Sequence, residues 1–163
     1  MSVIVDIEEA LKDRLGATIA GVPALVRLMR KTDNSVEAVP VKIESYPKQP
    51  SDQLLLTLAE SGAVVVRYTG STYSARRDVG AVSVQDRVMV YEVLVFSKSL
   101  QDRNSGAGIY ELLDLCALRV IGYKPAGCVD GIELIRDDYV EEQKGSWTYG
   151  LLFSVKTQTI RVV

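Results

Sequence analysis

Apolar positions recur every three or four residues at the start of the chain and every two residues near its end. Ile4, Ile7, Leu11, Leu15 and Ile19 fall at helical spacing, with Asp6, Glu8 and Glu9 in the early turns where they suit the helix dipole. This predicts an amphipathic helix stopped at Gly21. Pro23 is placed to open a second, short helix with Leu25, Leu28 and Met29 inward and Arg27, Arg30 and Lys31 outward. KTDNS reads as a loop, and VPVKIESYP as one strand bounded by Pro40 and Pro47. A third helix is expected over DQLLLTLAES, with Ser51 as its cap and Gly62 as its stop.

The continuous run AVVVRY suits a strand covered on both sides. SVQDRVMVYEVLVFSKS is the longest strand candidate and is apolar on both alternating faces. Val88, Val90, Leu94 and Phe96 lie on one, and Met89, Tyr91, Val93 and Val95 on the other. Its second face therefore needs a cover. The clearest helix lies within DRNSGAGIYELLDLCALRVIGYKPAG, striped by Ile109, Leu112, Leu113, Cys116, Ala117 and Val120. Asn104 or Ser105 would cap it, and Gly122 and Pro125 follow it. Two strands close the chain, IELIRDDYV and WTYGLLFSVKT; in the second, Trp147, Tyr149, Leu151, Phe153 and Val155 form the expected core set.

This order predicts an α+β fold: two layers, a mostly antiparallel mixed sheet, and helices packed on one face. At 163 residues and 47% hydrophobic content, a single domain spanning 1–163 is expected, with no internal repeat. Charge narrows the partners. Nineteen basic and twenty-one acidic side chains give a net charge of -2, so no global attraction to nucleic acid is expected. No apolar run approaches the roughly 20 residues of a membrane span, and the N-terminus lacks the layout of a signal peptide. Cys116 and Cys128 are expected to be buried, reduced thiols.

The chain contains no histidine, which removes the commonest general base and metal ligand together. Neither a catalytic residue, a cofactor nor a metal site is expected. Asp137, Asp138, Glu141 and Glu142 cluster in DDYVEE without EF-hand spacing, and read as a solvated acidic hairpin. NSGAG precedes a helix but is explained by capping alone. The arginines between residues 67 and 103 are interleaved with acids, too diluted for a nucleic-acid stripe.

VVVRYTGSTYSARR poses the sharper question. It matches neither GxxxxGK[ST] nor GxGxxG, so a phosphate cradle is weakly supported. Two readings remain open. In one, Gly70 turns the chain while Thr69 and Ser71 satisfy their own backbone. In the other, the connection carrying Tyr73, Arg76 and Arg77 is a docking arm, since tyrosine and arginine are enriched at the energetic centres of interfaces. The double-faced long strand, and the split between central arginines and later acids, suit a subunit that joins copies of itself head to tail.

The order of IEEALKDRL, VVVRYTGSTY, VMVYEVLVFSKSL, IYELLDLCALRVIGYKPAG and WTYGLLFSVKT resembles the tail terminator-like tail proteins of Mu-like contractile-tailed bacteriophages and prophages. The resemblance covers nearly the whole chain and is least between Gly21 and Tyr46. It implies a non-enzymatic virion protein of the tail or neck, assembled in the host bacterial cytoplasm. It would form a homo-oligomeric ring, typically hexameric, on the end of the tail tube, stop tube and sheath polymerisation, and present the head-joining surface to neck and head-completion proteins. DNA would pass through the lumen without specific binding, and no membrane is involved. On this reading Tyr73, Arg76 and Arg77 contact a neighbouring subunit or the tail, and Asp137, Asp138, Glu141 and Glu142 are their complement or line the lumen. A head-tail adaptor of the same particle, or a small-ligand α+β enzyme or sensor, are the alternatives.

Overall fold

A computed structural model describes residues 2–47, 51, 62–97, 108–143 and 145–162. Helix α1 (Val3–Gly16) buries Ile7, Leu11 and Leu15, as its spacing predicts. It ends five residues before Gly21. Ile19 lies beyond it and bridges Val22 across a tight turn in which Gly21 has φ 74°.

The second helix expected from Pro23 onward is instead a strand, β1 (Val26–Arg30), paired antiparallel with β2 (Val36–Pro40). Turn chemistry decides this. Asn34 takes a left-handed conformation at φ 64°, Asp33 accepts the Ser35 backbone N–H at 2.9 Å, and Lys31 N–H donates to Ser35 O at 2.8 Å. Such a closed hairpin holds both flanks extended, whatever their helical spacing. The single strand expected over VPVKIESYP is split at Val41, because β2 ends at Pro40. The Val41 N–H bonds back to Leu25 O at 2.9 Å, and β3 (Lys42–Ser45) joins another sheet. The helix expected over DQLLLTLAES lies outside the described residues.

That other sheet contains β4 (Ala63–Tyr73), β5 (Arg77–Val79), β6 (Val82–Ser97), β7 (Glu133–Gln143) and β8 (Ser146–Val162). Its order is β3-β4-β6-β8-β7, with β5 on β6 beyond the end of β4. β3 runs parallel to β4 and every other pair is antiparallel, giving a mixed sheet in an α+β fold. Helix α2 (Ile109–Val120) follows Gly108, its N-cap; the expected caps Asn104 and Ser105 lie outside the described residues.

Both described helices cover the same face. Their buried stripes meet Val64 and Val66 of β4, Met89, Tyr91, Val93 and Val95 of β6, and Leu151, Phe153 and Val155 of β8. Arg119 on α2 is 1% exposed and ties that helix to α1 and to the segment after it: its Nη2 donates to Pro23 O at 3.0 Å, while its backbone oxygen accepts Arg14 Nε at 2.8 Å. On the opposite face Ala63, Val65, Leu94 and Phe96 form a second buried cluster with Tyr46 against it. The double-sided burial expected of AVVVRY and of the long strand therefore holds at this end of the sheet. Among the described residues no helix is long and apolar enough to cross a membrane.

Both cysteines are free and buried, as expected. Burial pushes the Cys116 thiol up to about 12 and the Cys128 thiol up as well. Two consequences are expected. Ellman's reagent should label neither thiol in the native protein and both once it is unfolded; rapid native labelling would contradict their burial. Because the folded pKa values are raised, the protonated native state is favoured below the unfolded thiol pKa, and stability should fall as pH rises from about 9 towards 12. Tyr91, raised chiefly by burial, adds in the same direction at higher pH.

Candidate functional site

The Gly-rich stretch after VVVRY does not turn. It continues as β4, and the register shifts between Tyr68 and Gly70, a β-bulge that Gly70 accommodates with φ 144°. Thr69 Oγ1 donates to Val90 O on the neighbouring strand at 3.0 Å rather than to its own backbone. Ser71 bonds the Tyr68 hydroxyl and accepts Arg87 Nε at 2.8 Å, and Arg87 Nη2 donates to Tyr68 Oη at 3.1 Å. Burial opposes ionisation of Tyr68, but these hydrogen bonds and the Arg87 charge hold its phenol below the usual range. Tyr73 packs against the Arg87 guanidinium, 5.4 Å from the ring centroid. The side chains that would have cradled a phosphate satisfy one another.

Beyond the bulge the strands project as an arm. Ser74 N–H donates to Asp86 O at 2.9 Å and Gln85 Nε2 to Ser74 O at 2.7 Å, so the hairpin holds together across the gap between β4 and β5. The helix-side core stops at Met89 and Val155, and β8 from Gln158 to Val162 is exposed throughout. Register sorts the arm into two faces, since directly paired residues share a side. Val79, Val82 and Val162 form one row and Arg77, Val84 and Ile160 the next, on the face away from the helices. Val79, Ile160 and Val162 are 70%, 60% and 75% exposed there. The helix-side face carries Ser83, Gln85, Thr159 and Arg161.

Arg76 pairs with Asp78 at 3.2 Å and Arg77 with Asp86 at 3.0 Å, all four well exposed. Such exposed pairs contribute about 0–1 kcal/mol, so either arginine can change partner with little loss to the fold.

The four acids lie at the other end of the sheet, on the edge strand β7. Two bulges interrupt it, between Leu134 and Arg136 and between Tyr139 and Glu141. The pleat divides the cluster. Asp137 and Glu142 oppose Leu151 and Trp147 on the helix-side face, whereas Asp138 and Glu141 oppose Gly150 and Thr148 on the other. Asp138 is bonded to Arg136 at 2.7 Å, and Glu142 accepts the Gly145 N–H at 2.6 Å to close the β7–β8 turn. Charges and bulges on an edge strand also discourage uncontrolled pairing with other chains. Among the described residues no group of histidine, cysteine or carboxylate side chains is placed to hold a metal ion.

Beside Asp137 and Glu142 lies an aromatic group that the sequence reading did not single out as a site. Tyr149 meets Tyr110 of α2 and Tyr139 of β7 edge-on, each at 5.7 Å, and Tyr139 meets Trp147 at 6.4 Å. Tyr110 and Tyr139 remain 45% and 53% exposed. Trp147 and Tyr149, expected in the core, are only partly buried at its margin. Joining these rings takes the β7–β8 register and the packing of α2 on the sheet, neither of which sequence spacing gives. The arm and this aromatic, acidic end do not meet within one copy: Ile160 and Gly150 are ten residues apart on β8, about 33 Å at a rise of about 3.3 Å per residue.

Residues 36–162, more than three quarters of the chain, match the family model described as Gp37 protein. No curated protein matches the chain.

Proposed function

The chain belongs to the Gp37 family of phage proteins, and from that premise we propose that it is a structural virion protein, a tail terminator that closes the tail tube as a ring. The observation that carries this reading is the arm. It displays Val79, Ile160 and Val162 on a face that no described element covers, on strands too long for the core they serve. A subunit destined for a larger assembly has a use for such a face, because contact with a neighbour removes it from water. The ring is most simply a hexamer of this chain, seated between tube and sheath on one side and head-completion proteins on the other. DNA would slide through its lumen without specific binding, in keeping with the net charge of -2. This role needs neither catalysis nor a cofactor.

Light scattering over a concentration series, with negative-stain imaging, tests the reading with and without purified tail tube. A ring with a central hole, free or on the tube end, is the expected result. A monomer under both conditions would refute it, and binding to empty heads in preference to tubes would move the protein to the adaptor position. Arg76→Ala with Arg77→Ala is expected to weaken attachment while leaving the melting temperature within a few degrees, since both ion pairs are exposed.

A further inference from the structure

We infer that the arm of one copy docks on the aromatic, acidic end of the next, so that copies join through two different surfaces rather than one self-complementary one. This rests on the ring reading and assigns its interface. Both surfaces are exposed and apolar at the centre, with rims of opposite sign. The arm carries Arg76, Arg77, Arg87 and Arg161 against Asp78 and Asp86. Strand β7 carries five carboxylates against Arg136 alone.

The chemistry of contact follows from the two faces of the arm. Arg76 is 67% exposed, and Arg161 makes no ion pair among the described residues. Guanidinium groups stack on tyrosine faces and bond carboxylates in one plane, and Tyr110 and Tyr139 stand beside Asp137 and Glu142 to receive them. The apolar face of the arm matches Ile135 and Val140, 52% and 41% exposed at the two bulges of β7.

Geometry then favours a heterologous join. The two surfaces sit near opposite ends of β8, too far apart to satisfy each other within one molecule. Two copies joined once still leave one arm and one acidic end free, so association continues until a ring closes.

Complementation between two variants tests this. The arm variant is Ile160→Asp with Arg161→Glu; the end variant is Asp137→Lys with Tyr139→Lys. All four positions are exposed, and circular dichroism melting checks that each variant folds. Each alone is expected to lose self-association by on the order of 30-fold or more, the scale of a central contact. Mixed, they should form a one-to-one dimer and stop, because one sound interface remains.

Failure of the mixture to dimerise, or unimpaired assembly of either variant alone, overturns the assignment. If the unaltered chain still makes rings in that case, the ring reading survives; if it neither assembles nor binds tube, both fall. Should a double variant not fold, Arg161→Glu and Asp137→Arg are used singly. Each is expected to weaken assembly, and the two placed in one chain should restore at least part of it. No restoration counts against the contact.

Discussion

A chain lacking residues 2–16 is expected not to fold cooperatively, although the matched family stretch begins only at residue 36. Helix α1 places Ile7, Leu11 and Leu15, each no more than 1% exposed, against the sheet and α2. Truncating one such side chain to alanine typically costs about 2–5 kcal/mol, and three together rival the whole stability of a domain, about 5–15 kcal/mol. Polar contacts go with them. Tyr91 Oη donates to Ile4 O at 3.0 Å, and Arg14 lies over the Tyr123 ring at 4.9 Å. Removing the helix leaves the Tyr91 hydroxyl without this acceptor and opens the apolar faces of β4 and α2 to water. Leu11→Ala is the graded version, expected to fold but melt roughly 4–20 °C lower. Far-UV circular dichroism with a urea titration reads both. A cooperative transition in the truncated chain, close to that of the full one, would show that α1 is dispensable.

The sequence was most legible where burial imposes a period. VVV in β4, the alternating faces of β6 and the stripe of α2 all lie over the core, and each was expected where it occurs. It was least legible where the strands leave the core. QTIRV carries the last part of β8 but has no buried side to stamp an alternation on it, so β8 runs further than its apolar pattern. TGST reads as a turn because those residues favour turns, yet pairing with β6 holds it extended and concentrates the irregularity in one bulge. Between Pro23 and Lys31 the spacing of apolar residues fits a helix, and the Asp33–Asn34–Ser35 turn overrules it. The site suffered for a related reason. Proximity in sequence grouped four acids that a pleated strand separates, while Tyr110 and Tyr139 come together only through long-range packing.

Gly150→Ala is expected to destabilise the fold by about 2–4 kcal/mol, and the reason is one buried carboxylate. Gly150 lies on β8 opposite Leu94, in ordinary extended backbone, so alanine brings no conformational strain of its own. Its Cβ would instead overlap Glu92 Oε1 and stand 3.0 Å from Cδ and 3.3 Å from Cγ. Glu92 is 6% exposed and accepts Arg67 Nε at 2.6 Å, while Arg67 stacks over Tyr46 at 5.3 Å. The carboxylate has little room to retreat. Moving it breaks the pairing that compensates its burial, and an uncompensated buried charge costs about 3–5 kcal/mol, less whatever the site recovers by relaxing.

A clash with Glu92 has a consequence beyond destabilisation alone. In a Glu92→Ala background the obstruction is gone, and Gly150→Ala should cost under about 1 kcal/mol. A coupling of about 2 kcal/mol is therefore expected in the double-mutant cycle, measured by urea unfolding. Equal costs in both backgrounds would sink the explanation and point to the glycine's backbone instead. A measured coupling would tie Gly150, within WTYGLLFSVKT, to a contact with the long central strand rather than to flexibility of its own.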